Sequence, residues 1–174
     1  MTGPGSRVYS DAYYLIEQCT DCPVPGYLIV SPLSGAGCLE DLTHDELIRL
    51  GNVLALAVRA VKEATRPVRV YCAQFGEKGG PLHFHIFPRS EEITREYLRE
   101  NPSEEGSIDG PNLLGWSRRR YGHNADQGRL TEVTHRIRAA LKKARDEDSG
   151  ESRPPNVTVP AKAPMGNEIV ESSG

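Results

Sequence analysis

Long apolar runs are missing from this sequence: no stretch approaches the roughly 20 residues that a membrane helix needs. Met1 leads into TGPGS rather than into a basic segment followed by a greasy one. A membrane protein is thereby disfavoured, and a cytoplasmic location is expected. Cysteine is scarce too, with four in 174 residues. In that compartment Cys19, Cys22, Cys38 and Cys72 are expected to stay reduced, a disulfide framework is improbable, and the Asn156-Val157-Thr158 sequon carries no meaning. Hydrophobic residues make up only 37%, with a mean hydropathy of −0.50. Much of that shortfall lies at one end, where Asp146 to Gly174 is rich in Ser, Pro and Gly, with six acids, two bases and scarcely an apolar pair to bury. An acidic disordered tail over 146–174 is expected.

A clustered basic surface is absent as well. The tail's six acids and two bases carry −4 of the net −3, which leaves residues 1–145 at +1. Only Arg118, Arg119 and Arg120 form a run, and such runs are usually solvated helix faces, so nucleic acid is not an expected partner. The length suits one compact domain that buries about two-thirds of the unfolded chain's surface. That domain is placed over residues 10–145, after a flexible N-terminus of residues 1–9.

Within it, AYYLIE (12–17) and YLIVS (27–31) are β-prone runs separated by a loop holding Pro23, Pro25 and Gly26. Thr43 with Glu46 three residues on makes a capping box, and Leu47, Leu50, Leu54, Val58 and Val61 recur at helical spacing to form the expected buried stripe. Arg66-Pro67 ends that helix. VRVYCAQ (68–74) reads as a third strand and 82–87 as a fourth. After Pro88 come a short EEITREYLREN helix, a Gly/Pro/Ser/Asp loop through Pro111, NLLGWSRRRY as a short amphipathic turn, and a helix over 128–145 with Leu130, Val133, Ile137 and Leu141 as its stripe. The order is that of an α+β fold: an antiparallel sheet with a long helix between strands and a helical C-terminal extension.

The chemistry is concentrated in Gly79-Gly80-Pro81-Leu82-His83-Phe84-His85-Ile86-Phe87-Pro88-Arg89. Side chains alternate along a strand, so Leu82, Phe84 and Ile86 face one way while His83 and His85 share the other face, about 7 Å apart at their Cα atoms. Neutral imidazole is a competent nucleophile toward phosphorus, and a second one beside it can stabilise charge on phosphate oxygens. Gly79 and Gly80 permit close approach of backbone to an anion, and Lys78 could add a positive charge. An ordinary hairpin loop is the plainer reading of the glycines taken alone.

LHFHIFPR resembles the signature of the histidine-triad superfamily, in which three histidines alternate with apolar residues. His83 takes the central position and His85 the third, while Pro81 stands where the first histidine would be. PVPGYLIVSP is similar to that family's glycine-led second strand, LEDLTHDEL to the start of its long helix, and VYCAQFG to the strand before the phosphate loop. The resemblance covers roughly residues 10–90 and implies a HIT-like fold. It also implies a central histidine, His83, that attacks the α-phosphorus of a nucleotide to form a nucleotidyl-histidine, resolved by water or another acceptor. Nucleoside phosphoramidates or dinucleoside polyphosphates would then be substrates of a hydrolase or nucleotidyl transferase, with no cofactor. In the family a backbone carbonyl at the first motif position orients the central imidazole, and Pro81 still supplies one. The phosphate contacts implied here fall on Gln74, Gly76, Lys78, Gly79, Gly80 and Pro81. A homodimer paired through the long helix and the sheet edge is implied as well.

Cys19-x-x-Cys22 invites a zinc or redox reading. Some family members bind structural zinc through two cysteines and histidines, but the histidine expected after the second strand is Gly35 here, and a structural loop is preferred. His44, His123 and His135 are read as a helix-start, a loop and an exposed helix residue. Two rivals to the enzyme reading stay open: a non-catalytic nucleotide-binding sensor that has lost the first histidine, and a cupin-like metal enzyme using His83 and His85 with Glu91. The long helix between strands counts against the barrel.

Overall fold

The computed structural model describes residues 6–76, 79–122 and 126–148. Lys78, His123, the sequon and the tail from residue 149 onward therefore lie outside the described residues. The strands are β1 (Arg7–Ser10), β2 (Tyr14–Gln18), β3 (Leu28–Pro32), β4 (Arg69–Ala73) and β5 (Phe84–Arg89), and the helices are α1 (His44–Thr65), α2 (Glu91–Glu100), α3 (Gly110–Tyr121) and α4 (Gln127–Asp148). They form one antiparallel sheet in the order β1-β2-β3-β5-β4. Because β5 inserts between β3 and β4, the histidine strand lies inside the sheet rather than at its rim.

The two faces of the sheet carry separate cores, as the period-2 alternation requires. Leu28, Val30 and Ile86 turn to one face and meet α1 and α4 through Val53, Leu56, Ala57, Ala60, Val133, Ile137 and Leu141. Tyr27 and Phe87 turn to the other and meet α2 and α3 through Ile93, Tyr97, Leu113, Leu114 and Trp116. Helices α2 and α3, after Pro88, cover this face of the sheet, and NLLGWSRRRY is not a short turn but the greater part of a twelve-residue helix. Its Asp109 N-cap accepts from the Asn112 N–H, and Pro111 lies in its first turn.

Thr43 caps α1 with the reciprocal Glu46 contact that the sequence announces. Arg66 closes the helix in the left-handed region at φ 46°, ahead of Pro67. The buried stripe is rotated from its expected position. Val53, Leu56, Ala57, Ala60, Val61 and Ala64 are buried, Leu50, Leu54 and Val58 only flank them, and Leu47 and Ile48 are 45% and 62% exposed. Three alanines, Ala57, Ala60 and Ala64, thus share the buried stripe with Val53, Leu56 and Val61. A second difference concerns the N-terminus, where β1 pairs with β2 as an edge strand although all of it but Ser10 falls in the segment 1–9 expected to be flexible. At the other end α4 reaches Asp148, past the expected close at Arg145.

The turn into β3 depends on Gly26. Its φ is +84°, and a Cβ there would come within 2.7 Å of Thr65 Cγ2 at the end of α1. This tight seat fixes where β3 begins and therefore where Tyr27 points.

Candidate active site

The segment leading into β5 holds three glycines at positive φ, Gly76 at 114°, Gly79 at 66° and Gly80 at 93°. Nothing lies within 4 Å of a Cβ built on Gly79 or Gly80, so these glycines are required by the backbone path rather than by crowding. The Gly79 N–H donates to the Gly76 carbonyl at 3.1 Å. The loop is then pinned by Leu82, which is buried and whose N–H donates to the Ala36 carbonyl at 2.6 Å. Gln74 is exposed, with its amide donating to the Phe75 carbonyl at 3.4 Å.

His83 stands just ahead of β5, partly exposed, and its Nδ1 is 2.9 Å from the Pro81 carbonyl. A carbonyl can only accept, so Nδ1 carries the proton and the lone pair sits on Nε2. A proline in the first motif position therefore still supplies the orienting group. His85 lies on the same face, with the two ring centroids 4.8 Å apart at 84°. Alternation thus brings the two imidazoles together as expected.

The depth of His85 was not expected. It is only 3% exposed, its Nδ1 is 2.9 Å from the Tyr27 hydroxyl, and Phe75 packs against its ring at 5.6 Å. Burial, then the nearby Arg118 guanidinium and His83, lowers its pKa to about 4, so it is neutral near pH 7. Tyr27 is wholly buried, stacks edge-on against Phe87 and has its phenol pKa pushed up by the same burial. Arg118, reaching in from α3, donates from Nη2 to the Tyr27 hydroxyl at 3.4 Å. Sequence reasoning passed over both partners: Tyr27 read as a strand residue and Arg118 as one of three solvated arginines.

The remaining chemistry-bearing residues separate from this pair. Cys19 and Cys22 are buried near Tyr27, burial raising the Cys19 thiol and pushing Cys22 up to about 12, and all four cysteines are unpaired. Among the described residues no three His, Cys, Asp or Glu side chains gather as metal ligands, and Gly35 offers no donor, so the residues present do not fit the zinc site that the resemblance would allow. His44 and His135 are exposed at the start of α1 and on α4, as read. The cupin reading fails on architecture: among the described residues five antiparallel strands lie in one open sheet flanked by four helices, not in a barrel.

No family model and no curated protein matches the chain. Solved structures do. A Hit-like protein involved in cell-cycle regulation from Bartonella henselae is 24% identical over 79% of this chain and 87% of its own, with a TM-score of 0.54. A Zn-bound histidine triad family protein from Mycobacterium smegmatis is 18% identical over 83% and 89%, with a TM-score of 0.55. A hypothetical histidine triad nucleotide-binding protein from Sulfolobus tokodaii is 16% identical over the same shares, with a TM-score of 0.58. The chain has the HIT-like fold.

Proposed function

We propose that this HIT-like domain is a nucleotide hydrolase or nucleotidyl transferase whose nucleophile is Nε2 of His83. The bare Nε2 attacks the α-phosphorus of a nucleoside phosphoramidate or dinucleoside polyphosphate, a P–N(imidazole) bond forms, and the bond to the amine or phosphate leaving group breaks with its electron pair. Water or another acceptor then attacks the same phosphorus and returns the imidazole. The observation that carries the reading is the 2.9 Å contact from His83 Nδ1 to the Pro81 carbonyl, which leaves Nε2 as the reactive nitrogen. His85 stands beside it to stabilise charge on the phosphate oxygens.

The same proposal assigns the phosphate contacts to the segment of Gln74, Gly76, Lys78, Gly79, Gly80 and Pro81, with Lys78 adding charge. A nucleotide is the partner, without nucleic acid or membrane, in the cytoplasm. No helix among the described residues is long and apolar enough to cross a bilayer. A homodimer fits the open edge at β4 and the exposed Leu47 and Ile48 on α1.

Turnover of a nucleoside phosphoramidate by wild type and variants, without added metal, tests the reading. His83→Ala is expected to fall to background. His85→Gln loses about a hundredfold to a thousandfold, the scale of one stabilising contact. Substantial turnover by His83→Ala, or loss of wild-type activity to a chelator, overturns it.

A further inference from the structure

We propose that Tyr27 and Arg118 are positioning residues that fix the tautomer of His85, so that its Nε2–H faces the phosphate while Pro81 holds His83 in the opposite tautomer. The catalytic consequence rests on the function proposed above. The tautomer assignment stands on hydrogen-bond geometry alone.

Arginine has five donors and no acceptor, so the Arg118 contact at 3.4 Å places a donated proton on the Tyr27 oxygen. The other neighbour of that hydroxyl, His85 Nδ1 at 2.9 Å, could in principle take either role. If it donated, both neighbours would donate into one oxygen and the hydroxyl proton would have to find a third partner inside a wholly buried site. If Tyr27 donates instead, its oxygen accepts from Arg118 and its proton has an acceptor in Nδ1. Nδ1 of His85 is therefore the bare nitrogen, and the proton sits on Nε2, on the ring edge away from Tyr27. His83 is the mirror case, with Nδ1–H donated to the Pro81 carbonyl and Nε2 bare.

The two adjacent imidazoles are thus assigned opposite tautomers by two different anchors, which divides their labour. His83 offers a lone pair to phosphorus, and His85 offers a hydrogen bond to a phosphate or leaving-group oxygen. His85 gives up no proton, since the imidazolate left behind would be far too basic, and the proton gained by the leaving group comes from solvent. Burial independently keeps His85 from becoming a cation at neutral pH. Arg118 lies 91 residues from Tyr27 on α3, so the extension after Pro88 has a role at the site as well as in covering the sheet.

Two-bond proton–nitrogen correlation spectra of the full-length, nitrogen-labelled protein at neutral pH read each tautomer without substrate. Wild type is expected to show a bare Nδ1 and protonated Nε2 on His85, and the reverse on His83. Tyr27→Phe should convert His85 into a tautomer mixture and lower kcat on a nucleoside phosphoramidate by about tenfold or more, as loss of an orienting partner typically does, with KM within about twofold. Arg118→Met should also give some Nδ1–H on His85, in a smaller fraction than Tyr27→Phe. A protonated Nδ1 on wild-type His85, or an unchanged pattern in folded Tyr27→Phe, overturns the proposal, and the wild-type spectrum decides it if that variant does not fold. An unchanged pattern in Arg118→Met removes Arg118 from the relay. Correct tautomers in a wild type that turns over no nucleotide would refute the enzymatic function and leave the relay standing.

Discussion

Acid should unfold this domain partly through His85, because the folded state holds that imidazole in its neutral form. Its pKa is about 4 in the fold against an ordinary 6.5. The folded pKa is the lower one, so the unfolded chain binds the proton more readily. The stabilisation is complete above about 6.5, declines as pH falls from there, and is lost once pH passes through about 4. That difference sets a ceiling of about 3 kcal/mol. Solvent reaching the adjacent, partly exposed His83 screens some of this, leaving about 2 kcal/mol. His85→Gln isolates the effect, since a glutamine can still accept from the Tyr27 hydroxyl but does not titrate. Urea denaturation of both proteins between about pH 7 and pH 4 should show the wild type losing about 2 kcal/mol more than the variant. Parallel losses across that window would mean that His85 is not buried as a neutral imidazole.

Other consequences are accessible to equally simple measurements. Gly26→Ala forces a side chain into the left-handed region against Thr65 Cγ2, and chemical denaturation should register a loss of about 2 kcal/mol or more, whereas Gly79→Ala meets no neighbour and should cost about 1 to 2 kcal/mol, the backbone strain alone. Deleting residues 149–174 should leave the melting temperature nearly unchanged, because little apolar sequence is removed, and a large drop would show that the segment docks. Light scattering should give a dimer, and Ile48→Glu, which places a charge on the exposed end of α1, should shift it toward monomer. A fully active wild-type monomer in dilute solution would refute the pairing.

How much of this was legible in the sequence depended on whether a feature was local and periodic. The facing of His83 and His85 follows from alternation, and the start of α1 from Thr43 and Glu46, since each signal is complete within a few residues. β1 left no such trace because both its ends are exposed and none of its residues is buried, so it forms through pairing with β2 rather than through an apolar pattern. The buried stripe of α1 was misplaced by following leucines, since Ala57, Ala60 and Ala64 are buried while Leu47 is exposed and Leu50 and Leu54 only flank the core. The surroundings of His85 were hidden for a different reason. Its anchor, Tyr27, is 58 residues away, and Arg118 is read correctly as exposed while its guanidinium still reaches the buried hydroxyl. A histidine on a strand announces its face, but its depth is set by neighbours such as Tyr27 and Phe75 that only the fold brings to it.

The claim on which the account turns is that His83 becomes covalently nucleotidylated. Incubating the full-length protein with a labelled nucleoside phosphoramidate, quenching in base to spare an acid-labile P–N bond, and mapping the digest by mass spectrometry tests this directly. The account predicts a nucleotidyl adduct on His83 that is absent from His83→Ala and is discharged on returning the protein to turnover conditions. An adduct on His85, an adduct that survives in His83→Ala, or turnover with no adduct at all would contradict it.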